Sequence, residues 1–205
     1  MFKRASFILL FLLLLFVTAC GHLIKPRVKT GLMQLEKGSY RLDHSHVAVL
    51  FKINHMGLST FVGRFNKVDA SLEFDPDNIA AASLSAVIDI ASIDVNNPDL
   101  EATLMGNNWF AAKVYPQASF VTRSVSLLDE NSAIFTGDLT LRGVTLPIDL
   151  KVHFNGGGSN VLTGFYTLGF SATSQFKRSD FAMDYLIPAV GDQVDIEVFA
   201  EFQRR

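Results

Sequence analysis

The chain has 205 residues, with 18 basic and 20 acidic side chains and a formal charge of −2. With 49% hydrophobic residues it has the means to bury a core, and its charge balance argues against a nucleic-acid partner. A single cysteine excludes internal disulfides and a cysteine-built zinc site.

Lys3 and Arg4 precede a run from Ala5 to Phe16 that is apolar except for Ser6, the pattern of a secretory signal. The run is shorter than the ~20 apolar residues of a membrane-spanning helix. It ends in Val17-Thr18-Ala19-Cys20, which reads as a lipobox: small residues before a cysteine that is diacylated and becomes the new N-terminus. The expected organisation is a leader over 1–19, a lipidated tether over 20–38 and one domain over 39–205. Two acyl chains give stable membrane attachment where one would not. Lys25, Arg27, Lys29 and Lys37 suit anionic head groups, but a solvated linker is the favoured reading. Gly21, lacking the aspartate that retains such lipoproteins in the inner membrane, points to an exported protein anchored in the outer membrane and facing the periplasm.

From Tyr40 onward the pattern alternates, and alternate residues of a strand share a face. Val47, Val49, Phe51 and Ile53 lie opposite His46, Ala48, Lys52 and Asn54. Val68, Ala70, Leu72 and Phe74 repeat the pattern, and after the turn signal Asp75-Pro76-Asp77-Asn78 so do Leu84, Ala86, Ile88 and Ile90. One stretch is helical: Asn97 caps, Pro98 takes the first position, Asp99 and Glu101 occupy the first turn, and Gly106 stops it. Ala118 and Phe120 open the next strand, which Val125 and Leu127 continue past an irregularity. Phe135, Gly137, Leu139 and Leu141 follow, then Leu146, Ile148, Leu150, Val152 and Phe154. Gly156-Gly157-Gly158-Ser159 reads as a flexible loop, a strand is expected from about Leu162 to Ser174, and Val194 to Phe202 forms the last. About eight strands with short turns and one helical excursion define an all-β antiparallel barrel or sandwich.

Chemistry finds little foothold. Asp43-His44-Ser45 has the residues of a hydrolase triad, but strand neighbours face opposite ways and a triad is defined by geometry. His44 and His46 share a face at a spacing metal sites use, while His55 has the other parity, so structural or surface histidines are expected and no metal. Asp69, Glu73, Asp89, Asp138, Asp149, Asp195, Glu197 and Glu201 all lie opposite the apolar face, which leaves no interior acid pair for glycoside chemistry. Phenylalanine dominates the aromatics, with 18 against one tryptophan, and it has no polar handle. An eight-stranded barrel with such an interior is filled by side chains or holds one small ligand, and parity does not separate the two.

The sequence resembles the YceI-like family of polyisoprenoid-binding exported barrels from Gly38 to Gln203. The resemblance is carried by Tyr40-Arg41-Leu42-Asp43-His44-Ser45 with His55-Met56-Gly57, by Gly63-Arg64-Phe65, by Ala91-Ser92-Ile93-Asp94, and by Trp109-Phe110 with Tyr115-Pro116. The most specific block is Gly137-Asp138-Leu139-Thr140-Leu141-Arg142-Gly143-Val144-Thr145-Leu146-Pro147, and Arg178-Ser179-Asp180-Phe181 with Gly191-Asp192-Gln193-Val194 closes the match. Ala182 departs from it, standing where the family usually has glycine. The resemblance implies an extended, eight-stranded, lipocalin-like antiparallel barrel with a polyisoprenoid or quinone-like lipid in a tunnel. A buried methylene is worth ~0.8 kcal/mol, so one isoprene unit contributes about 4 kcal/mol, against association costs of about 4–15 kcal/mol. Several units are needed, which favours a long tail.

The expected function is therefore carriage of a long-chain amphiphile in the cell envelope, with no catalysis and no cofactor beyond the bound lipid. The expected wall is Val49, Phe51, Ile53, Phe65, Leu72, Phe74, Ile88, Phe120, Phe135, Leu139, Ile148, Leu150 and Ile196. His55 and Arg178 are candidates for the polar head, with a salt bridge to Asp180 or another rim acid as the alternative role of Arg178. The competing reading is an envelope adaptor or structural lipoprotein with a filled barrel, acting through its outer face; a third, resting on analogy, is an accessory to a redox membrane protein, and a homodimer is left open.

Overall fold

The computed structural model describes residues 28–31 and 35–205. The leader, Cys20 and most of the tether lie outside the described residues.

Ten hydrogen-bonded segments make the eight staves of one closed antiparallel barrel. The first stave, β1 (Gly38–His55), is flanked on one side by β2 (Ser59–Phe65) and β3 (Val68–Phe74). These last two form a single interrupted stave, because β2 pairs with Val49–His55 of β1 and β3 with Gly38–Arg41. β4 (Ser83–Asp89) and β5 (Ile93–Asp94) divide the third stave in the same way, β4 against β3 and β5 against β2. The helix α1 (Pro98–Leu104) then caps that end of the barrel. As the sequence predicts, the Asn97 side chain accepts from the Leu100 N–H, and the Glu101 carboxylate reaches back to the Val95 N–H.

The remaining staves run up and down in order: β6 (Gln117–Asp129), β7 (Ser132–Leu141), β8 (Val144–Ser159), β9 (Tyr166–Lys177) and β10 (Val190–Arg204). β10 returns to β1 and closes the barrel along a seam from Tyr40 opposite Arg204 to His55 opposite Val190. Closure removes the open sheet edge that would invite pairing with another chain.

Two departures from the sequence pattern have local causes. Gly156–Ser159 belongs to β8 rather than to a loop, and it pairs with β9 through Gly156–Gly169, Gly157–Leu168 and Ser159–Tyr166. β7 ends opposite His153, and the free edge of β8 is taken by Lys29, whose N–H donates to Gly157 O at 2.7 Å and whose O accepts from Gly157 N at 2.9 Å. A Cβ on Gly156 would stand 2.2 Å from Val28, and one on Gly157 2.6 Å from Leu168 and 2.9 Å from Leu35. The glycines are thus required by close packing of the N-terminal segment. The return strand correspondingly begins at Tyr166, after an exposed turn from Asn160 to Gly164.

The second departure is in β1, where Leu42 faces Phe202 but Val47 faces Ala200, so Asp43–His46 forms a bulge. Strict alternation therefore does not hold through Asp43-His44-Ser45. The Asp43 carboxylate pins the bulge by accepting from Ser45 N at 2.9 Å and from Gln203 Nε2 at 2.6 Å, and it contacts His46 Nδ1 at 2.9 Å. A smaller shift between Thr122 and Ser124 in β6 leaves Val125 buried, whereas Leu127, expected inside, is exposed.

Candidate functional site

The staves enclose a cavity of about 410 Å³, within the ~300–1,000 Å³ typical of small-molecule sites. All the predicted wall residues line it except Phe74. Phe74 lies beneath it, 5% exposed, and meets Tyr40 edge-on at 6.4 Å. Parity placed Phe74 on the correct face, but it sits at the strand end, below where the cavity stops.

The floor is solid. Leu35, Tyr40, Phe74, Ile79, Phe154 and Leu168 are buried in one cluster, with Leu168 at 0% exposure, and none of them reaches the cavity. Above them Phe170 bridges the two zones, 5.4 Å from Phe154 below and 5.8 Å from Phe202, which lines the cavity. Higher up, Leu139, Ile148, Leu150 and Ile196 face inward yet are only partly buried, because they border empty space rather than other side chains. The interior is therefore not filled by its own residues. Phe120 holds its place through Gly137, where a Cβ would come 2.4 Å from the ring.

Among the lining residues His55 and Leu186 alone are exposed, so the cavity opens between the β1–β2 hairpin and the segment before β10. The lining is almost wholly apolar. Its polar members are His55 at the mouth, Ser174, the Trp109 indole and Arg178, and among the described residues no carboxylate borders it. Ser174 Oγ is already committed, donating to Asp149 O at 2.8 Å.

Arg178 is 2% exposed and works as a brace. Its Nε donates to Gly191 O at 2.8 Å, Nη1 to Met183 O at 2.6 Å and Nη2 to Val190 O at 2.9 Å. Its acceptors are thus carbonyls rather than Asp180 or another rim acid, the alternative role considered from sequence. Asp192 instead accepts from Ser179 N and Oγ, each at 2.9 Å. The guanidinium lies 5.3 Å from the Trp109 ring centroid, and that ring meets Tyr185 edge-on at 5.6 Å. Burial pulls the Arg178 pKa below its ordinary value, with Asp192 and Asp184 opposing. Two of the five N–H groups of an arginine remain beyond the three carbonyl bonds. Arg178 therefore fixes the mouth loop and still borders the cavity. Ala182, just after this turn, has φ +58°, the left-handed region where glycine costs least.

Phe61, Trp109, Phe110, Met183 and Leu186 also line the upper cavity and escaped the sequence reading. Most lie in loops, where alternation carries no signal; Trp109-Phe110 as adjacent large aromatics was the one available hint. Outside the cavity, Asp43, His46 and Glu201 bring potential ligand atoms within 4.8 Å of one another. The bond between Asp43 and His46 that pins the bulge joins two of the three, and Glu201 acts on the His46 ring by its charge.

A closed up-and-down barrel with a packed floor, a dry cavity and one braced mouth defines a container of the lipocalin-like type. Comparison with known proteins narrows the class. The YceI-like domain profile matches residues 40–202, and the chain belongs to the YceI-like family. A UPF0312 protein of Vibrio cholerae serotype O1 is 32% identical over 77% of this chain and 82% of its own length. A UPF0312 protein of Vibrio parahaemolyticus is 32% identical over 86% of this chain and 97% of its own. Among solved structures, Burkholderia cenocepacia BcnA superposes with a TM-score of 0.71 at 28% identity, covering 78% of this chain and 98% of that one. A polyisoprenoid binding domain from Saccharophagus degradans superposes with a TM-score of 0.61 at 12% identity, covering 83% of this chain and all of that one.

Proposed function

We propose that this protein carries a long-chain amphiphile, a polyisoprenoid or quinone-like lipid, in the barrel cavity and performs no chemistry on it. The observation that carries this reading is the cavity: about 410 Å³, apolar along its length, closed below and open at His55 and Leu186. A hydrocarbon tail gains from such a lining, whereas a polar metabolite would lose hydrogen bonds to water without replacement. The polyisoprenoid named for the Saccharophagus domain belongs to that protein; at 12% identity the likeness supports the fold, and the ligand reading rests on this chain's own residues. The open interior also weighs against an adaptor with a filled barrel. His55, with Arg178 behind it, stands where the polar head of a tail-first ligand would lie. Cys20, diacylated after export, would hold the carrier in the envelope, in the outer membrane facing the periplasm.

The test is to purify the full chain from the envelope of expressing cells and analyse an organic extract by mass spectrometry. A prenyl lipid or quinone is expected at near one per chain. Ala86→Phe and Ala172→Phe, which place a ring in the cavity, are expected to lose it without unfolding. A clean extract, with no uptake of added long-chain prenols or quinones, would sink the reading.

A further inference from the structure

Apolar side chains are exposed at both ends of the barrel, and what surrounds them differs. At the closed end the β8–β9 hairpin projects beyond the β6–β7 hairpin, since β7 ends opposite His153. Its tip exposes Val161 at 62%, Leu162 at 79% and Phe165 at 48%. No charged residue occurs from Phe154 to Phe176, so the whole projection is neutral. The other turns at that end carry Asp129 with Glu130 and Asp75 with Asp77.

The N-terminal segment arrives at this same end. Lys29 is bridged antiparallel to Gly157, and β8 runs towards the closed end, so the chain at Val28 enters from there. Cys20 precedes Val28 by eight residues, a reach of at most about 29 Å when fully extended. β1 has 18 residues, about 60 Å of strand, or about 45 Å of barrel height at a tilt near 40°. A tether of that reach cannot turn the mouth face down onto the bilayer that holds Cys20. It can bring the β8–β9 tip to that bilayer.

We propose that Val161, Leu162 and Phe165 form a membrane-docking surface that seats the closed end in the bilayer holding the anchor, leaving the mouth directed away from it. The inference rests on acylation of Cys20 and is independent of which ligand the cavity holds. Bulky apolar residues on an uncharged tip gain by entering the boundary between head groups and acyl chains. Lys25 and Arg27, close to the entry point in sequence, add attraction to anionic head groups.

The test uses the full-chain lipoprotein in vesicles of phosphatidylethanolamine and phosphatidylglycerol with brominated acyl chains. Acylation consumes the only native thiol, so a bimane label on Leu162→Cys reports the closed end. The same label on Leu58→Cys, a position 83% exposed, reports the mouth hairpin. The label at 162 is expected to lie about 5–10 Å into the boundary and to be quenched at least about twofold, while the label at 58 is not. Triple substitution of Val161, Leu162 and Phe165 by Asp, read through a label on Thr163→Cys, is expected to abolish quenching while thermal stability is kept, since these side chains are exposed. Quenching at 58 instead, or at neither position with Cys20 acylated, overturns the proposal. Mass spectrometry of the N-terminal peptide separates that result from an unacylated Cys20, which would remove the premise as well. The organic extract of the same sample reads the cavity independently.

Discussion

The two ends of the barrel are built from the same alternating apolar strands and do opposite things. At the closed end, Tyr40, Phe74, Phe154 and Leu168 are buried in one cluster with Leu35, and none of them lines the cavity. Toward the mouth, the inward side chains of Leu139, Ile148, Leu150 and Ile196 stop short of each other, and order comes from a polar brace, Arg178, with its three carbonyls. The difference teaches that close packing and open space occupy separate lengths of one interior. The floor supplies close packing, and the upper part gives some of it up to keep space open.

The sharpest way to break this comparison is truncation on either side of it. Leu168→Ala or Phe154→Ala in the floor removes fully packed groups and is expected to cost about 3–5 kcal/mol. Ile148→Ala or Leu150→Ala in the wall enlarges a space already present and is expected to cost about 1–2 kcal/mol in the ligand-free protein. Urea denaturation midpoints measure both. Equal losses would mean that the upper interior is as closely packed as the floor.

Next in size is the brace. Arg178→Met keeps much of the apolar stem but leaves the carbonyls of Met183, Val190 and Gly191 without their donor. A loss of about 2–4 kcal/mol is expected, since buried acceptors left unpaired cost about 1–3 kcal/mol each before water reaches them. Because those carbonyls belong to the loop bordering the mouth, hydrogen exchange should rise over Met183–Gly191 and stay unchanged over the floor strands. Uniform loss of protection would contradict a local brace. Arg178→Lys should recover only part, because an ammonium cannot present the planar fork.

A smaller effect of opposite sign is expected next to it. Ala182 holds φ +58°, a conformation that costs an L-residue about 1–2 kcal/mol. Ala182→Gly should therefore stabilise by about 1 kcal/mol or less, after the greater chain entropy of glycine is set against the relief. A loss of stability would mean that the Ala182 methyl packs better than its exposed position indicates.

Much of this was legible in the sequence because parity survives folding: Val49, Phe51, Ile53 and Ile196 face inward, and the capped helix lies where Asn97 and Pro98 put it. Legibility failed where side chains give no parity. The glycines of β8 carry no pattern, so their strand emerges only with Val28, Lys29 and Leu35 packed against it. Met183 and Leu186 reach the cavity from a loop, and nothing in their spacing marks them. Phe74 shows the remaining gap, since alternation gives the face of a residue but not its height along the stave. Whether the interior is open or filled depends on that height and on the exact volumes facing each other, which no periodicity encodes.

The smallest expected effect lies on the seam between the two ends, at the bulge of β1. The hydrogen bond to Asp43 and the nearby charge of Glu201 raise the His46 pKa above its ordinary 6.5. At Asp43, desolvation opposes ionisation, but the hydrogen bonds from His46, Ser45 and Gln203 outweigh it and lower the pKa below 3.8. A raised histidine contributes stability that is whole below 6.5 and is lost as pH rises through its folded-state value. A lowered aspartate contributes stability that is whole above 3.8 and is lost as pH falls through its folded-state value. The bulge is therefore most stable between 3.8 and 6.5. The pair is exposed to solvent on the histidine side, so the gain stays under about 1 kcal/mol and shrinks with salt. His46→Ala should lower the urea midpoint below pH 6.5 and approach the parent protein well above it. His44→Ala, whose ring lies 3.7 Å from Asp69 on the other flank of the bulge, serves as the control. A difference between His46→Ala and the parent that is independent of pH would show that the ring acts by packing across the seam rather than by its charge.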